Sequence, residues 1–288
     1  MIVPVGEWSI EEAVGDADLR VLLLAVAQST GDPRWLAPPF TPRRDVSLIA
    51  DEGAGLPDAV ADEIRAAAVA EYHRLAAGGT PAIDDPGDDL MVEMMSVCLG
   101  QEVPAEYAPL AREELGFTSR LVDWPADASL GGAGLDHEVL IVGAGSSSIA
   151  MSHALAEAGV EHRIVERHGS VGGVWRDNRY PGAGVDTPNH AYSFSFAPPR
   201  RWSRYFALQP ELEQYLVDTA DAFDVTGRIE FDTNVVGARW DAGGACWEVE
   251  LETDGARTTR TCRVLISAIG QLNEAVVPEL PGLGEFGG

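Results

Sequence analysis

The apolar run Glu138-Val139-Leu140-Ile141-Val142 leads without a spacer into Gly143-Ala144-Gly145-Ser146-Ser147-Ser148. A strand that ends in two glycines one residue apart, with a helix-forming stretch behind it, has few ways to fold. Gly143 permits the tight strand-to-helix turn, and Gly145 leaves the backbone bare where a pyrophosphate would approach. The anion then meets the N–H groups at the helix N-terminus. The third position of the G-x-G-x-x-G pattern, which lets helix and strand pack closely, is Ser148 rather than glycine. A helix is expected at about 146–158, then the strand HRIVE, which ends on Glu166, 21 residues after Gly145. A carboxylate there can accept ribose hydroxyls, and it selects a free adenosine ribose, as in FAD or NAD, over NADP.

The alternation continues beyond this unit. A helix is expected near 210–223, and RIEFD, VVGARWD, CWEVELE and RTCRVLISAIG have strand character. That pattern gives an α/β domain over 138–288. Residues 1–123 differ and read as all-helical. Leu19, Leu22, Leu23 and Val26 recur at helical spacing, Asp16 or Asp18 can cap the start, and Gly31 with Pro33 ends the segment. Further helices are expected near 57–77, 88–99 and 104–116, with Leu90, Met94, Met95 and Cys98 as a core stripe. WPADASLGGAGLDH (124–137) reads as a linker.

Charge and cysteine usage exclude several functions. The net charge is −26, from 46 acidic residues against 20 basic ones, and every basic one is arginine. Lysine chemistry of the Schiff-base or P-loop kind is therefore absent. Nucleic acid is not an expected partner, because a bulk binder needs a basic face. Cys98, Cys246 and Cys262 show no CxxC spacing, which suggests neither zinc nor a disulfide framework and fits a reducing cytoplasm. The N-terminus lacks a basic n-region, and LRVLLLAVA is about half a membrane span, so no membrane association is expected.

After Glu166 comes RHGSVGGVW, which places Gly172 and Gly173 six and seven residues on. From there GGVWRDNRYPGAGVDTPNHAYSFSF, YFALQPELEQYL, RVLISAIGQL and VPELPGLGEFGG together resemble the Baeyer–Villiger monooxygenases. These are FAD enzymes that oxidise ketones to esters with NADPH and O2. The resemblance covers about 138–288. The helical extension, including LLLAVAQSTGD, is similar to that of the 4-hydroxyacetophenone monooxygenase type. The implied fold class is a Rossmann-like FAD-binding domain of a two-dinucleotide-binding-domain flavoprotein, preceded by an all-α N-terminal extension.

The resemblance also implies site residues. Gly143, Ala144, Gly145, Ser147 and Ser148 would line the FAD pyrophosphate, with Glu166 at the adenosine ribose. Gly173, Val174 and Trp175 would pass beside the flavin, with Tyr192 close by, Val235 would contact adenine, and Arg167 and Arg179 would also belong to the cofactor site. Asp186 is the expected catalytic residue. In the family its counterpart positions an arginine that stabilises the anion formed when reduced flavin meets O2 at C4a. Taken alone, Asp186 is equally an ordinary turn residue. No metal is expected.

Between 170 and 209, Arg176, Arg179, Arg200, Arg201 and Arg204 face Asp177 and Asp186, a local +3 in an acidic chain. The phosphates of a second nucleotide, or solvent alone, would account for it. The family's catalytic arginine, its second G-x-G-x-x-G for NADPH and most of its ketone pocket have no counterpart here. The chain is thus expected to be the N-terminal part of a longer monooxygenase, with NADPH bound mainly through the missing domain. The ketone is unspecified and could be aromatic, and the acidic extension is the candidate homodimer contact. A related N- or S-oxidising flavin monooxygenase, or a non-catalytic FAD-binding or interaction module, are the alternatives.

Overall fold

The computed structural model describes residues 9–47, 51–118, 136–198, 202–272, 276 and 278–287. Most of the 124–137 linker, together with Arg200, Arg201 and Gly288, lies outside them. The chain divides into two compact units, Met1–Arg120 and Leu121–Gly288.

The first unit is helical: α1 (Ile10–Asp16), α2 (Leu19–Thr30), α3 (Asp58–Ala76), α4 (Gly87–Leu99) and α5 (Ala108–Glu114). Asp18 starts α2 by accepting the Arg20 N–H at 2.8 Å, and Gly31 ends it at φ 65°. The left-handed C-cap is a conformation glycine adopts without a Cβ penalty. The spaced apolar residues Leu19, Leu22, Leu23 and Val26 are buried together with Trp35, Phe40 and Ile64. Within the expected stripe on α4, Met94 is buried beside Met91, while Leu90, Met95 and Cys98 are half-buried. Helix α1 was not read from the periodicity, although its signal is in the sequence. Ser9 and Glu12 form a reciprocal capping box, with bonds of 3.1 Å and 2.9 Å.

The second unit contains β1 (His137–Val142), α6 (Ser146–Glu157), β2 (His162–Val165), the single turn α7 (Val174–Asp177), α8 (Gln209–Ala222), β3 (Ile229–Glu230), β4 (Thr233–Asp241), β5 (Cys246–Thr253) and β6 (Ala256–Ser267). They build one six-stranded sheet in the order β3-β2-β1-β6-β5-β4. β3, β2, β1 and β6 run parallel, whereas β4, β5 and β6 form an antiparallel meander. The long β6 belongs to both parts: Trp247 pairs with Cys262, and Val139 with Val264. Successive side chains of β1 serve different cores, as strand geometry requires. Ile141 packs with Ile149, Ile164 and Leu216, and Leu140 with Val165, Val249 and Leu251. This is a Rossmann-like sheet. After β1 the chain crosses to β2 on one side and later returns as β6 on the other, so the strand order reverses at the carboxyl end of β1.

One expected element differs: RIEFD contributes only the two residues of β3. The alternation of aromatics in YSFSF would also suit a strand, but it forms none, because its backbone is satisfied elsewhere. The Tyr215 hydroxyl accepts the Phe194 N–H at 2.7 Å and donates to the Ala197 carbonyl at 2.9 Å. Phe196 stacks on His153 of α6 with ring centroids 4.0 Å apart. Among the described residues, no helix is long and apolar enough to cross a membrane.

Candidate functional site

A cleft of about 270 Å³ opens at the carboxyl ends of the parallel strands. Its walls are residues 143–147 after β1, 166–168 after β2, 172–175 with Asp177, 233–235 at the start of β4, and 268–270 after β6. Gly143, Ala144, Gly145, Ser147, Glu166, Arg167, Gly173, Val174, Trp175 and Val235 line this cleft together. Ser148, Arg179, Asp186 and Tyr192 do not line it.

The glycines make the cleft possible. Gly143 sits at φ 97°, and a Cβ there would lie 2.9 Å from the Ala268 carbonyl oxygen. Gly173 sits at φ 53° and ψ −127°, with space for a Cβ only 3.0 Å from the Gly145 Cα. Two bare backbones therefore pass each other, fastened by the Gly172 N–H on the Ala144 carbonyl at 3.1 Å. Ser148 fits the third position because its fully buried hydroxyl donates to the Gly143 carbonyl. It closes the helix–strand contact with a bond where glycine would close it by having no side chain.

At the N-terminus of α6 no side chain caps the helix. The N–H groups of Ser148 and Ile149 reach the Gly145 carbonyl at 3.1 and 3.2 Å, and no acceptor among the described residues meets those of Ser146 and Ser147. Such first-turn donors favour an anion. Glu166 is only 6% exposed. One oxygen accepts the Ala144 N–H at 2.6 Å and the other the His168 N–H at 2.9 Å. Each oxygen keeps a lone pair, so the carboxylate ties the glycine turn to β2 and can still accept from a hydroxyl.

Trp175 donates its indole N–H to the Tyr192 hydroxyl at 3.0 Å, and its carbonyl accepts from the Gln209 side chain. Trp175 and Ser146 also line a second cavity of about 220 Å³, with Tyr192, Phe194, Leu212 and Tyr215 among its walls. Asp186 is exposed, and Thr187 Oγ1 lies 3.5 Å from its carboxylate. The backbone on either side of Asp186 is firmly held. The Val185 N–H bonds to the Ala207 carbonyl at 3.0 Å. The fully buried Asn189 accepts the Ala207 N–H at 2.9 Å and donates to the Arg204 carbonyl at 2.8 Å. Arg179 turns away from the cleft to Glu213 at 2.8 Å, and Arg176 meets Asp177 at 3.1 Å. Carboxylates thus already partner two of the arginines behind the local positive balance.

Sequence reasoning missed Ser146, His168 and Asp177 as lining residues, and Asn189, Gln209 and Tyr215 as supports. Ser146 lay inside the glycine motif and could have been read from it. The supports carry no sequence signal, because each bonds to backbone 15 to 34 residues away. Elsewhere, burial pushes the Cys262 thiol up to about 11, with Cys246 adding to the effect, so it stays protonated. No cluster of side chains suited to a metal ion occurs among the described residues.

Comparison with known proteins agrees with this geometry. Residues 141–207 match the NAD(P)-binding Rossmann-like domain family. The chain is 34% identical over 280 residues to the uncharacterized monooxygenase y4iD of Sinorhizobium fredii, covering 97% of this chain and 41% of that protein. It is 41% identical over 151 residues to a Baeyer–Villiger monooxygenase of Streptomyces coelicolor, covering 52% of this chain and 28% of that one. The chain is a homologue of the Baeyer–Villiger and FAD-binding monooxygenases. A crystal structure of OTEMO in complex with FAD and NADP aligns at 37% identity and TM-score 0.48, over 53% of this chain and 29% of that one. This monooxygenase homologue spans less than half the length of the curated relatives it matches.

The cleft of this homologue fits a dinucleotide. A bare glycine backbone faces unpartnered helix N–H groups, and a buried carboxylate stands one loop away. A phosphate needs the first pair of features and a ribose diol needs the last.

Proposed function

We propose that this chain is the FAD-binding portion of an NAD(P)H-dependent flavoprotein monooxygenase of the Baeyer–Villiger type, which inserts one oxygen atom of O2 into a ketone to give an ester. The observation that carries the reading is the paired glycine cleft, Gly143–Gly145 against Gly172–Gly173, with the buried Glu166 carboxylate at its end. The names of the relatives supply the reaction class.

FAD, when bound, supplies the redox chemistry with O2 and the nicotinamide. The chain's own residues do the holding. The Ser146 and Ser147 N–H groups take the diphosphate, aided by the α6 dipole. Glu166 accepts the adenosine ribose hydroxyls, beside Arg167 and with Val235 against the adenine. Gly173, Val174 and Trp175 form the wall that shields the flavin from water, and Tyr192 fixes the Trp175 ring. Asp186, on its braced loop, would orient an arginine contributed from outside this chain, and NADPH would bind mainly there too. The 4-hydroxyacetophenone resemblance, the homodimer contact through the helical unit, and the cytoplasmic setting belong to this reading as well.

The test begins with the purified chain and FAD. A yellow complex whose flavin absorbance co-elutes with protein supports the reading, and a chain that stays colourless in excess FAD removes it. The role of Asp186 needs a chimera in which this segment replaces its aligned counterpart in the S. fredii relative. Asp186→Ala should leave FAD uptake intact and cut ester formation from a ketone by at least about 100-fold, the usual scale of a lost charge-stabilising group. Undiminished ester formation would remove that role. Oxidation of amines or sulfides without ester formation would favour the N- or S-oxidising alternative.

A further inference from the structure

Residues 168–177 form a loop that is fastened at its own neck. Asp177, the last residue of α7, stands among three basic side chains: Arg176 Nη1 at 3.1 Å, His168 Nε2 at 3.3 Å and Arg167 Nη2 at 3.6 Å. Arg167, His168 and Asp177 all line the glycine cleft. The body of the loop carries Gly172 and Gly173, which lie against Ala144 and Gly145. The neck joins the two ends of the loop whose glycines line the cleft, so lifting the loop would uncover a ligand seated along them.

His168 Nε2 faces two groups with opposite demands. Arg167 Nε, 3.1 Å away, is a donor and needs an acceptor, while the Asp177 carboxylate at 3.3 Å needs a donor. An unprotonated Nε2 can serve only Arg167, and a protonated one only Asp177. One proton therefore decides whether His168 pairs within its own strand end or across the neck.

We propose that His168 and Asp177 form a proton-operated clasp that slows the release of the dinucleotide from the cleft. The inference rests on the FAD-binding reading above. Protonation of His168 adds a charged hydrogen bond across the neck of the loop. The other charged groups facing this neck come from each neighbouring element. Glu166, after β2, accepts the His168 N–H at 2.9 Å. Asp232, before β4, donates its N–H to the His168 carbonyl at 3.1 Å and has its carboxylate beside Gly169. Arg176 is held to Ser170 at 2.8 Å as well as to Asp177.

The direction of the pH effect separates the clasp from general acid destabilisation. His137, His153 and His162 are each held neutral by burial, so acid loosens the fold and would speed release. The clasp does the opposite. The experiment loads this chain with FAD and follows release on dilution by the rise of flavin fluorescence, from about pH 8 to about pH 6, the range in which histidine side chains change charge. Release should slow on the order of threefold towards the acid end, the scale of a partly exposed ion pair. His168→Gln and Asp177→Asn should each remove the slowing, and Asp177→Glu, which keeps the charge, should restore it. Wild-type release that is flat or faster in acid overturns the clasp, as does slowing that persists in His168→Gln. A chain that takes up no FAD at any pH removes the FAD reading and the clasp with it, whereas bound FAD without the pH response removes the clasp alone.

Discussion

The two units put some of their polar groups to different uses. In the helical unit the buried Arg20 and Ser29 are each completed by a neighbour. The Arg20 guanidinium donates to the Asp51 carbonyl at 2.7 Å, and Ser29 and Arg74 share the Glu71 carboxylate at 2.6 and 2.7 Å. Arg74 and then Ser29 hold that carboxyl below its usual range. In the α/β unit the ladder hydrogen bonds end at Val142 and Val165, and the loops diverge there. Backbone donors and one carboxylate are left gathered around a cleft. Polar groups that complete one another build a scaffold, and those left over at strand ends build a binding site.

Substitutions can test that contrast. The largest effect is expected from Gly173→Val. The position demands φ 53°, and its Cβ would lie 3.0 Å from the Gly145 Cα. About 3 kcal/mol of strain and collision should weaken FAD binding at least about 100-fold, measured by calorimetric titration. Glu166→Gln comes next. Its amide nitrogen would face one of the two N–H groups that Glu166 now accepts, at a cost of about 1–3 kcal/mol and a loss of roughly tenfold or more in FAD affinity. The matching change in the helical unit, Asp18→Ala, should cost about 1 kcal/mol in urea unfolding and leave FAD affinity alone. If both substitutions affected binding equally, the contrast between scaffold and site would be lost.

A smaller effect concerns the buried pair of Ser152 and His162, 2.7 Å apart. The Val160 carbonyl can only accept, so His162 Nδ1 carries the proton and Nε2 accepts from the Ser152 hydroxyl. Burial lowers the pKa of His162, so the fold prefers the neutral ring. That contribution is complete above the unfolded value of about 6.5 and is lost as the pH falls below it. Unfolding in urea should therefore become easier in mild acid. Ser152→Ala should cost about 1 kcal/mol at neutral pH. Smallest, and opposite in sign, is Gly15→Ala in α1. A Cβ there meets nothing within 4 Å, so the substitution should stabilise the helix by about 0.5–1 kcal/mol. The same exchange of glycine for a larger residue thus helps in one unit and is ruinous in the other.

Legibility in the sequence followed the range of the interactions. Asp18, the Leu19–Val26 spacing and Gly31 define α2 within fourteen residues, because capping and amphipathic burial are local. Gly143, Gly145 and Glu166 were readable for the same reason, since one βαβ unit sets all three positions. The fate of YSFSF was not. Its period matches a strand, yet Tyr215, 21 residues on, takes the Phe194 N–H that a ladder would have used. Asp177 was legible only as a charge. Its position opposite His168 depends on the path of a loop turned by two glycines of positive φ.

By itself, then, the sequence determined the strand–glycine turn–helix, the acid at the end of the second strand, the helical first unit and the kinship of its motifs. Each of these rests on covalent geometry or on periodicity within one or two elements. Only the tertiary structure decided that Gly173 packs on Gly145, that Glu166 holds the glycine turn by the Ala144 N–H, and that Asp186 stands outside the cleft on a loop held by Asn189. Those contacts join segments whose meeting is set by how the sheet and its loops pack, and no local pattern of residue types encodes that.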